Sequence, residues 1–191
     1  HSRGVDLVQQ YHIYGRLFDE CEAFQFDKAK EALDAQILIS EQLGDKSLRN
    51  SAMLKRVHLL TMAGYYREAD AMFGKIDTTS LDSMQMLRWY SIRQKYLTDY
   101  DEYVSSAGFK VKDLEKAGYY QEQIIQILPE SSYYRRHLGI LSLMSEGKLG
   151  EAYEANKSLI ATLDRVSRNY AVQAYWQGQI CDQRGHTQEA V

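Results

Sequence analysis

A six-residue segment that ends in Glu-Ala recurs along this chain. It reads Gly-Tyr-Tyr-Arg-Glu-Ala at Gly64–Ala69, and related copies lie at Gly147–Ala152 and Gly185–Ala190, with a degenerate copy at Phe24–Ala29. The final alanines Ala29 and Ala69 are 40 residues apart, and Ala152 and Ala190 are 38 residues apart. The 83 residues between Ala69 and Ala152 fit two such periods. Such a period is typical of arrays in which small helical units stack on their neighbours. The sequence therefore predicts about five units, the last of them truncated.

The repeated segment has the pattern of a helix end that is followed at once by a helix start. Its glycine lacks a Cβ atom and lets the chain turn sharply after one helix. Its alanine is expected where two helices touch, because a small side chain lets the axes approach towards the short end of the usual ~8–10 Å. The segment thus predicts antiparallel helix pairs that are joined by tight turns.

The rest of the sequence favours helix throughout. Pro129 is the only proline, the 12 glycines are spread along the chain, and apolar residues follow a helical period. Gly108 predicts a break, with an insertion between the two helices of the third unit. Helices are predicted near 6–22, 27–43, 46–63, 66–76, 82–98, 111–128, 132–146, 149–164 and 167–184, with a stub from 187. They form one predicted domain over 1–191, with units near 6–43, 46–76, 82–128, 132–164 and 167–191.

This pattern resembles the tetratricopeptide (TPR) repeat family. Gly178, Gly185 and Ala190 match the family's small, glycine and alanine positions, and Pro129–Ser132 is similar to its proline turn between units. The spacing of 38 to 40 residues exceeds the ~34 residues of the standard TPR repeat and is close to the ~40 residues of HEAT and armadillo units. HEAT and armadillo arrays, however, do not repeat a Gly-x-x-x-Glu-Ala turn. The resemblance implies an all-α fold, a TPR-like α-solenoid of antiparallel helix pairs (an α-α superhelix), and a chain that binds another polypeptide.

No pattern typical of catalysis or cofactor binding stands out. The five histidines do not pair at helical spacing with one another or with Cys21 and Cys181, which we interpret as small core residues. Asp99–Lys110 lacks the ligand, glycine and glutamate positions of a calcium loop. The formal net charge of −3 disfavours binding to the phosphate backbone of a nucleic acid. No apolar stretch approaches the ~20 residues that are needed to cross a bilayer. We therefore expect no enzyme activity, metal, cofactor, nucleic-acid binding or membrane insertion from this segment.

Aromatic residues suggest where a partner would bind, since the chain contains 15 Tyr, 2 Trp and 5 Phe. In TPR arrays the first helix of each pair lines a concave surface that grips peptides, and Tyr with Arg is typical of interface hot spots. The family's register places nine candidate partner-binding residues on that surface: Tyr11, Tyr14, Phe18, Leu54, His58, Tyr134, His137, Tyr175 and Gln179. Arg93, on a first helix beside these aromatics, is the tenth candidate. Two simpler interpretations stay open, namely that the aromatic rings pack between units and that Arg93 forms a salt bridge to a neighbouring helix.

The run Phe18–Ala29, the long spacing and the Tyr-rich helices also resemble the sensor halves of Bacteroidetes membrane-anchored signalling proteins. In those proteins an extracytoplasmic TPR array precedes a membrane helix and a cytoplasmic module that is kinase-like or DNA-binding. The resemblance implies a periplasmic-facing fragment of a longer chain, with a sensory or partner-docking role in a signal-transduction or transcription-regulatory protein. A structural scaffold or assembly factor and a cytoplasmic location remain alternatives. The expected partner is a protein or peptide, and assembly with further copies of the chain is left open.

Overall fold

The computed structural model describes residues 2–106, 108 and 115–185. Within these ranges every regular element is helical and no strand is present, which confirms the predicted all-α class. A 3-10 helix at Thr78–Ser80 precedes the fifth α-helix. The α-helices are α1 (Ser2–Cys21), α2 (Phe26–Leu43), α3 (Lys46–Met62), α4 (Tyr66–Phe73), α5 (Ser83–Ser105), α6 (Lys116–Ile127), α7 (Tyr133–Ser145), α8 (Leu149–Ile160) and α9 (Arg168–Gln183).

The chain divides into two compact units, His1–Gln123 and Ile124–Val191. In the first unit α1 packs on α2, α2 on α3, and α3 on both α4 and α5. In the second unit α7 packs on α8, and α8 on α9. Within each unit, these helices thus pack on their neighbours along the chain, as expected of stacked helix pairs. The contact between α3 and α5 also brings two first helices side by side, and this contact positions the surface described below.

The glycine turns have the geometry that the repeated segment predicts. Gly64 and Gly147 take φ values of +76° and +74°, a region that residues with a Cβ rarely adopt. At both turns the glycine N–H donates to the carbonyl three residues earlier, and the next N–H donates to the carbonyl five residues earlier. These bonds form the Schellman motif, which satisfies carbonyls at a helix end. In the last copy Gly185 takes φ +75°, and residues 186–190 lie outside the described ranges.

The alanines of the repeated segment lie where helices meet, as predicted. Ala29, Ala69 and Ala152 have no exposed surface. Ala152 of α8 packs with Ile140 of α7 and Ile180 of α9, so one small side chain lies among three helices. Because protein interiors are close-packed, a larger side chain at this position would force the helices apart.

Helix α5 differs from its prediction, since it continues to Ser105 instead of ending near residue 98. An ion pair of 2.7 Å between Lys95 and Asp99 links two successive turns. Three α5 tyrosines at intervals of about one turn also contact the ring of Tyr66 in α4, with centroids 5.0–5.9 Å away: Tyr96, Tyr100 and Tyr103. Tyr66 is distant in sequence, so the pattern of α5 alone could not reveal this support.

Both cysteines are buried free thiols, as the sequence predicts for Cys21 and Cys181. Among the residues that the structure describes, no group of three or more His, Cys, Asp or Glu side chains is placed to hold a metal ion. The same part of the chain contains no helix that combines the length and the hydropathy needed to span a membrane.

Candidate partner-binding surface

The N-terminal halves of α3 and α5 form the walls of a groove of about 500 Å³, which we call the α3–α5 groove. A capping box positions α5 there, because the Asp82 carboxylate accepts from the Gln85 N–H and the Gln85 side chain accepts from the Asp82 N–H. The groove is lined by Ser47, Ser51, Leu54, Asp82, Met84, Gln85, Leu87, Arg88 and Ser91.

Gln85 organises the polar groups of the α3–α5 groove. Its side chain is buried, and the two hydrogens of Nε2 are shared among three acceptors, Ser51 Oγ at 2.9 Å and the carbonyl and Oγ of Ser47 at 2.9 and 3.2 Å. Because both serine hydroxyls accept from Gln85, their own hydrogens are available to donate to a bound group. Arg88 on the rim is exposed and forms no ion pair with the residues that the structure describes. The groove therefore presents donors suited to a carbonyl or carboxylate oxygen.

A second pocket, which we call the tyrosine pocket, lies at the C-terminal ends of α3 and α5 and has a volume of about 430 Å³. The rings of Tyr66 and Tyr103 are 5.6 Å apart there, with their planes tilted by 43°. Burial raises the pKa of Tyr66, and the negative charge of Asp99 raises it further, so this phenol stays neutral at physiological pH. The tyrosine pocket is lined by Thr61, Met62, Tyr66, Lys95, Asp99, Glu102 and Tyr103.

His58 lies on α3 between the residues of the two pockets, and its side chain is exposed. Partial burial lowers its pKa and the positive charge of Lys95 lowers it further, while the charge of Glu22 opposes both effects. The imidazole is therefore neutral at pH 7 and can both donate and accept a hydrogen bond. The surface of α3 and α5 thus has a donor-rich end, a neutral centre and an end with carboxylates and aromatic rings.

In the second unit, α7 and α9 are joined by a cluster of aromatic and amide side chains. Tyr133 and His137 stack with their centroids 5.9 Å apart, and Gln173 Nε2 lies 2.7 Å from both the Tyr133 hydroxyl and His137 Nδ1. Burial lowers the pKa of His137, and the hydrogen bond with Gln173 opposes this effect. The ring of Trp176 lies 6.4 Å from that of His137 and 5.5 Å from that of Tyr175. The cluster fixes His137 between two helices and leaves Tyr175 exposed.

Three of the ten candidate residues are covered by the protein itself. Tyr11, Phe18 and Leu54 are only 7%, 4% and 0% exposed. The Tyr11 hydroxyl donates to the Leu48 carbonyl at 2.9 Å, and the Lys55 ammonium group lies 4.8 Å from the centre of the Phe18 ring. These three side chains belong to the core instead of an uncovered face, because neighbouring first helices pack against each other.

Arg93 makes the contacts expected of the simpler interpretation, in which it forms a salt bridge to a neighbouring helix. Its guanidinium group lies 3.4 Å from the Asp70 carboxylate and 4.3 Å from the centre of the Phe73 ring. Both partners lie on α4, so this side chain is already bound within the protein. Tyr14 is half-buried against two core clusters. The other candidates are the exposed His58, Tyr134 and Tyr175 and the half-buried His137 and Gln179. Their role in binding remains a prediction.

The sequence candidates omit most of the groove donors and the tyrosine pocket. Asp82-x-x-Gln85 has the spacing of a capping box, so this pattern was a signal for the start of α5. No sequence signal indicates that Gln85 also bonds to α3. Glu102 and Tyr103 are absent from the candidates because they lie beyond the predicted helix end. Trp176 is also absent, because it follows the candidate Tyr175 and lies on a different side of α9.

Comparisons with known proteins agree with this architecture. A kinesin-light-chain-like protein of Podospora anserina with nearly identical TPR-like repeats is similar in structure, with a TM-score of 0.56 and 16% sequence identity over 98% of this chain and 90% of that chain. At this identity the likeness shows the fold alone. A search of the curated proteins gives no match. A family model described as the SusR N-terminal TPR domain matches residues 1–191. The TPR resemblance is therefore confirmed, and the chain belongs to the SusR N-terminal TPR domain family.

Proposed function

We propose that this domain binds an extended segment of a partner protein in the α3–α5 groove, as the partner-docking region of a signal-transduction or transcription-regulatory protein. Membership in a TPR family supports the first part, because TPR domains are generally protein-interaction modules. The family's description as an N-terminal domain supports the second part, since such a domain can report partner binding to the segments that follow it.

The observation that carries this proposal is the pair of serine hydroxyls that the buried Gln85 holds at the groove. Arg88 adds a charged donor beside them, and Met84, which is 71% exposed, adds an apolar contact. An extended peptide presents carbonyl oxygens and side chains at regular intervals, so it can use the donors and the apolar rim together.

The length of α5 sets the length of the proposed segment. From Arg88 to Glu102 the helix rises roughly 21 Å at 1.5 Å per residue. An extended peptide covers that distance in about six residues. A segment of about seven residues would therefore run from the α3–α5 groove past His58 to the tyrosine pocket.

The second unit offers a separate candidate contact. Tyr134 and Tyr175 are 45% and 61% exposed, and the half-buried His137 and Gln179 lie on the same two helices. Exposed Tyr rings supply contact area and a hydroxyl group, which is the composition that partner surfaces favour. We include these four residues in the proposed binding surface as a contact independent of the α3–α5 groove.

The test uses a phage-displayed library of random 12-residue peptides, selected on the wild-type domain. Selected peptides are synthesised, and their Kd values are measured for wild type, Arg88→Ala and Ser51→Trp. We expect Arg88→Ala to weaken binding about tenfold, equivalent to roughly 1.4 kcal/mol. Ser51→Trp should weaken it further, because the indole would fill the groove.

The matched control is Arg67→Ala, which makes the same chemical change at an exposed position of α4. It should bind the peptides within about twofold of wild type, as expected of a surface substitution outside the site. Circular dichroism and thermal unfolding show that each variant is folded. Unchanged binding by folded Arg88→Ala and Ser51→Trp, or a selection without any binding peptide, would refute the groove as the docking site.

A further inference from the structure

We infer that the tyrosine pocket receives a basic side chain of the bound segment, a lysine or preferably an arginine. This inference rests on the proposed function, because it assigns the chemistry of one end of the same peptide. It is argued from the ring geometry, the charges around the pocket and the distance to Arg88.

The aromatic rings of the pocket suit a cation. The Tyr66 centroid lies 5.6 Å from that of Tyr103 and 5.0 Å from that of Tyr100, and Tyr103 is 66% exposed. The face of an aromatic ring carries negative potential and attracts ammonium and guanidinium groups within about 6 Å. In the described part of the chain, the protein's own cation–π contacts involve other rings: Phe18, Phe73, Trp89, Tyr96 and Tyr153.

The charges of the pocket also favour a cation. Lys95 is paired with Asp99 at 2.7 Å, so these two charges neutralise each other. Glu102 is exposed and forms no ion pair with the residues that the structure describes. The C-terminal end of α3 lies at the same pocket through Thr61 and Met62, and a helix C-terminus carries partial negative charge. The remaining charge is therefore negative, and a partner's cation would meet Glu102 and a ring face together.

The two ends of the surface then determine the pattern of the partner segment. Arg88 favours an acidic or carbonyl group at one end, and Glu102 with Tyr103 favours a basic group at the other. At about 3.3 Å per residue, the two groups lie roughly six residues apart in an extended peptide. The partner segment is thus an extended stretch whose basic residue lies about six positions from the residue that meets Arg88.

The direct test uses a small probe instead of a partner. N-acetyl-L-arginine amide is titrated into the isotopically labelled domain, and N-acetyl-L-citrulline amide serves as the uncharged probe of the same shape. We expect the NMR signals of the Tyr66 and Tyr103 rings to shift with the arginine probe, with a Kd in the millimolar range, and to shift far less with citrulline. Equal shifts from both probes would overturn the inference.

Three variants identify the groups responsible. Glu102→Gln should weaken binding of the arginine probe at least threefold, and Tyr103→Ala should do the same. Tyr103→Phe should retain binding because it keeps the ring face. Arg16→Ala, at an exposed position of α1 outside both pockets, should leave binding of this probe unchanged. Binding that is unaffected by both Glu102→Gln and Tyr103→Ala would also overturn the inference.

The outcome is distinguishable from that of the peptide-docking test. If the arginine probe binds as expected but groove variants do not affect any selected peptide, the pocket inference holds and the proposed function fails. If selected peptides depend on Arg88 and Ser51 but the arginine probe does not bind, the proposed function holds and the pocket inference fails.

Discussion

Gly139 and Gly147 are eight residues apart in sequence but have opposite conformational requirements. Gly147 takes φ +74° in the turn after α7, where any L side chain would be strained. Gly139 lies inside α7, and a Cβ atom added there would meet nothing within 4 Å besides its own chain neighbours and the backbone of its own helix. A glycine inside a helix lowers stability relative to alanine because the unfolded chain gains entropy. The same amino acid is therefore required at one position and unfavourable at the other.

We expect Gly147→Ala to lower the free energy of unfolding by about 1 kcal/mol, from left-handed backbone strain. Gly139→Ala should raise it by about 0.5–1 kcal/mol. Urea unfolding of the two variants beside wild type measures both changes. Effects of the same sign would contradict the assigned conformations, because the substitution is chemically identical.

Close helix contacts hold α7, α8 and α9 together. Ala152 has no exposed surface and lies where α8 meets α7 and α9, so its small size sets the distance between three helices. Ala171 of α9 is exposed and faces no such contact. The two alanines differ in packing and not in helix propensity.

We expect Ala152→Leu to destabilise the domain by about 1–3 kcal/mol, because overpacking a close contact forces backbone shifts. The control Ala171→Leu should stay within about 0.5 kcal/mol of wild type, as surface substitutions usually do. The midpoints of denaturant unfolding give these changes in stability, provided that the dependence of the unfolding free energy on denaturant is the same in each protein. An Ala152→Leu variant of wild-type stability would show that the helices are not in close contact there.

Across the whole molecule, two histidines and two buried tyrosines with shifted pKa values make stability depend on pH at both ends of the scale. Partial desolvation lowers the pKa of the exposed His58 and of the half-buried His137, so the unfolded chain takes up protons more readily than the folded one. Their contribution to stability is fully present above about pH 6.5 and is lost as pH falls through the lowered values. Burial raises the pKa of Tyr11 and of Tyr96, so stability is present below about pH 10 and is lost above it.

We expect the melting temperature to be nearly constant between about pH 7 and 9 and to fall on acidification below about pH 6.5. The double variant His58→Gln, His137→Gln should have a shallower fall between about pH 6.5 and 5, where few carboxylates titrate. Melting curves at closely spaced pH values measure this difference. Identical acid slopes for the two proteins would exclude the histidines as the source of the fall in melting temperature.

Local sequence rules were sufficient for most of the fold. The glycine and alanine of the repeated segment predicted the turns at Gly64 and Gly147 and the buried contacts of Ala29, Ala69 and Ala152. These features depend on backbone sterics and side-chain size, which a residue carries with it wherever it lies. The helical period and the TPR register therefore led to the correct fold class.

Only the tertiary structure decided which residues of a predicted face are covered. A helical period shows that Tyr11, Phe18 and Leu54 lie on an apolar face, but it does not show that a neighbouring helix packs on that face. The extension of α5 depends on Tyr66, which is distant in sequence, and Gln85 meets the serines of α3 only after the helices pack. The sequence alone determined the helices and their turns because these are local properties. The groove and the tyrosine pocket arise from long-range contacts, so the structure was needed to find them.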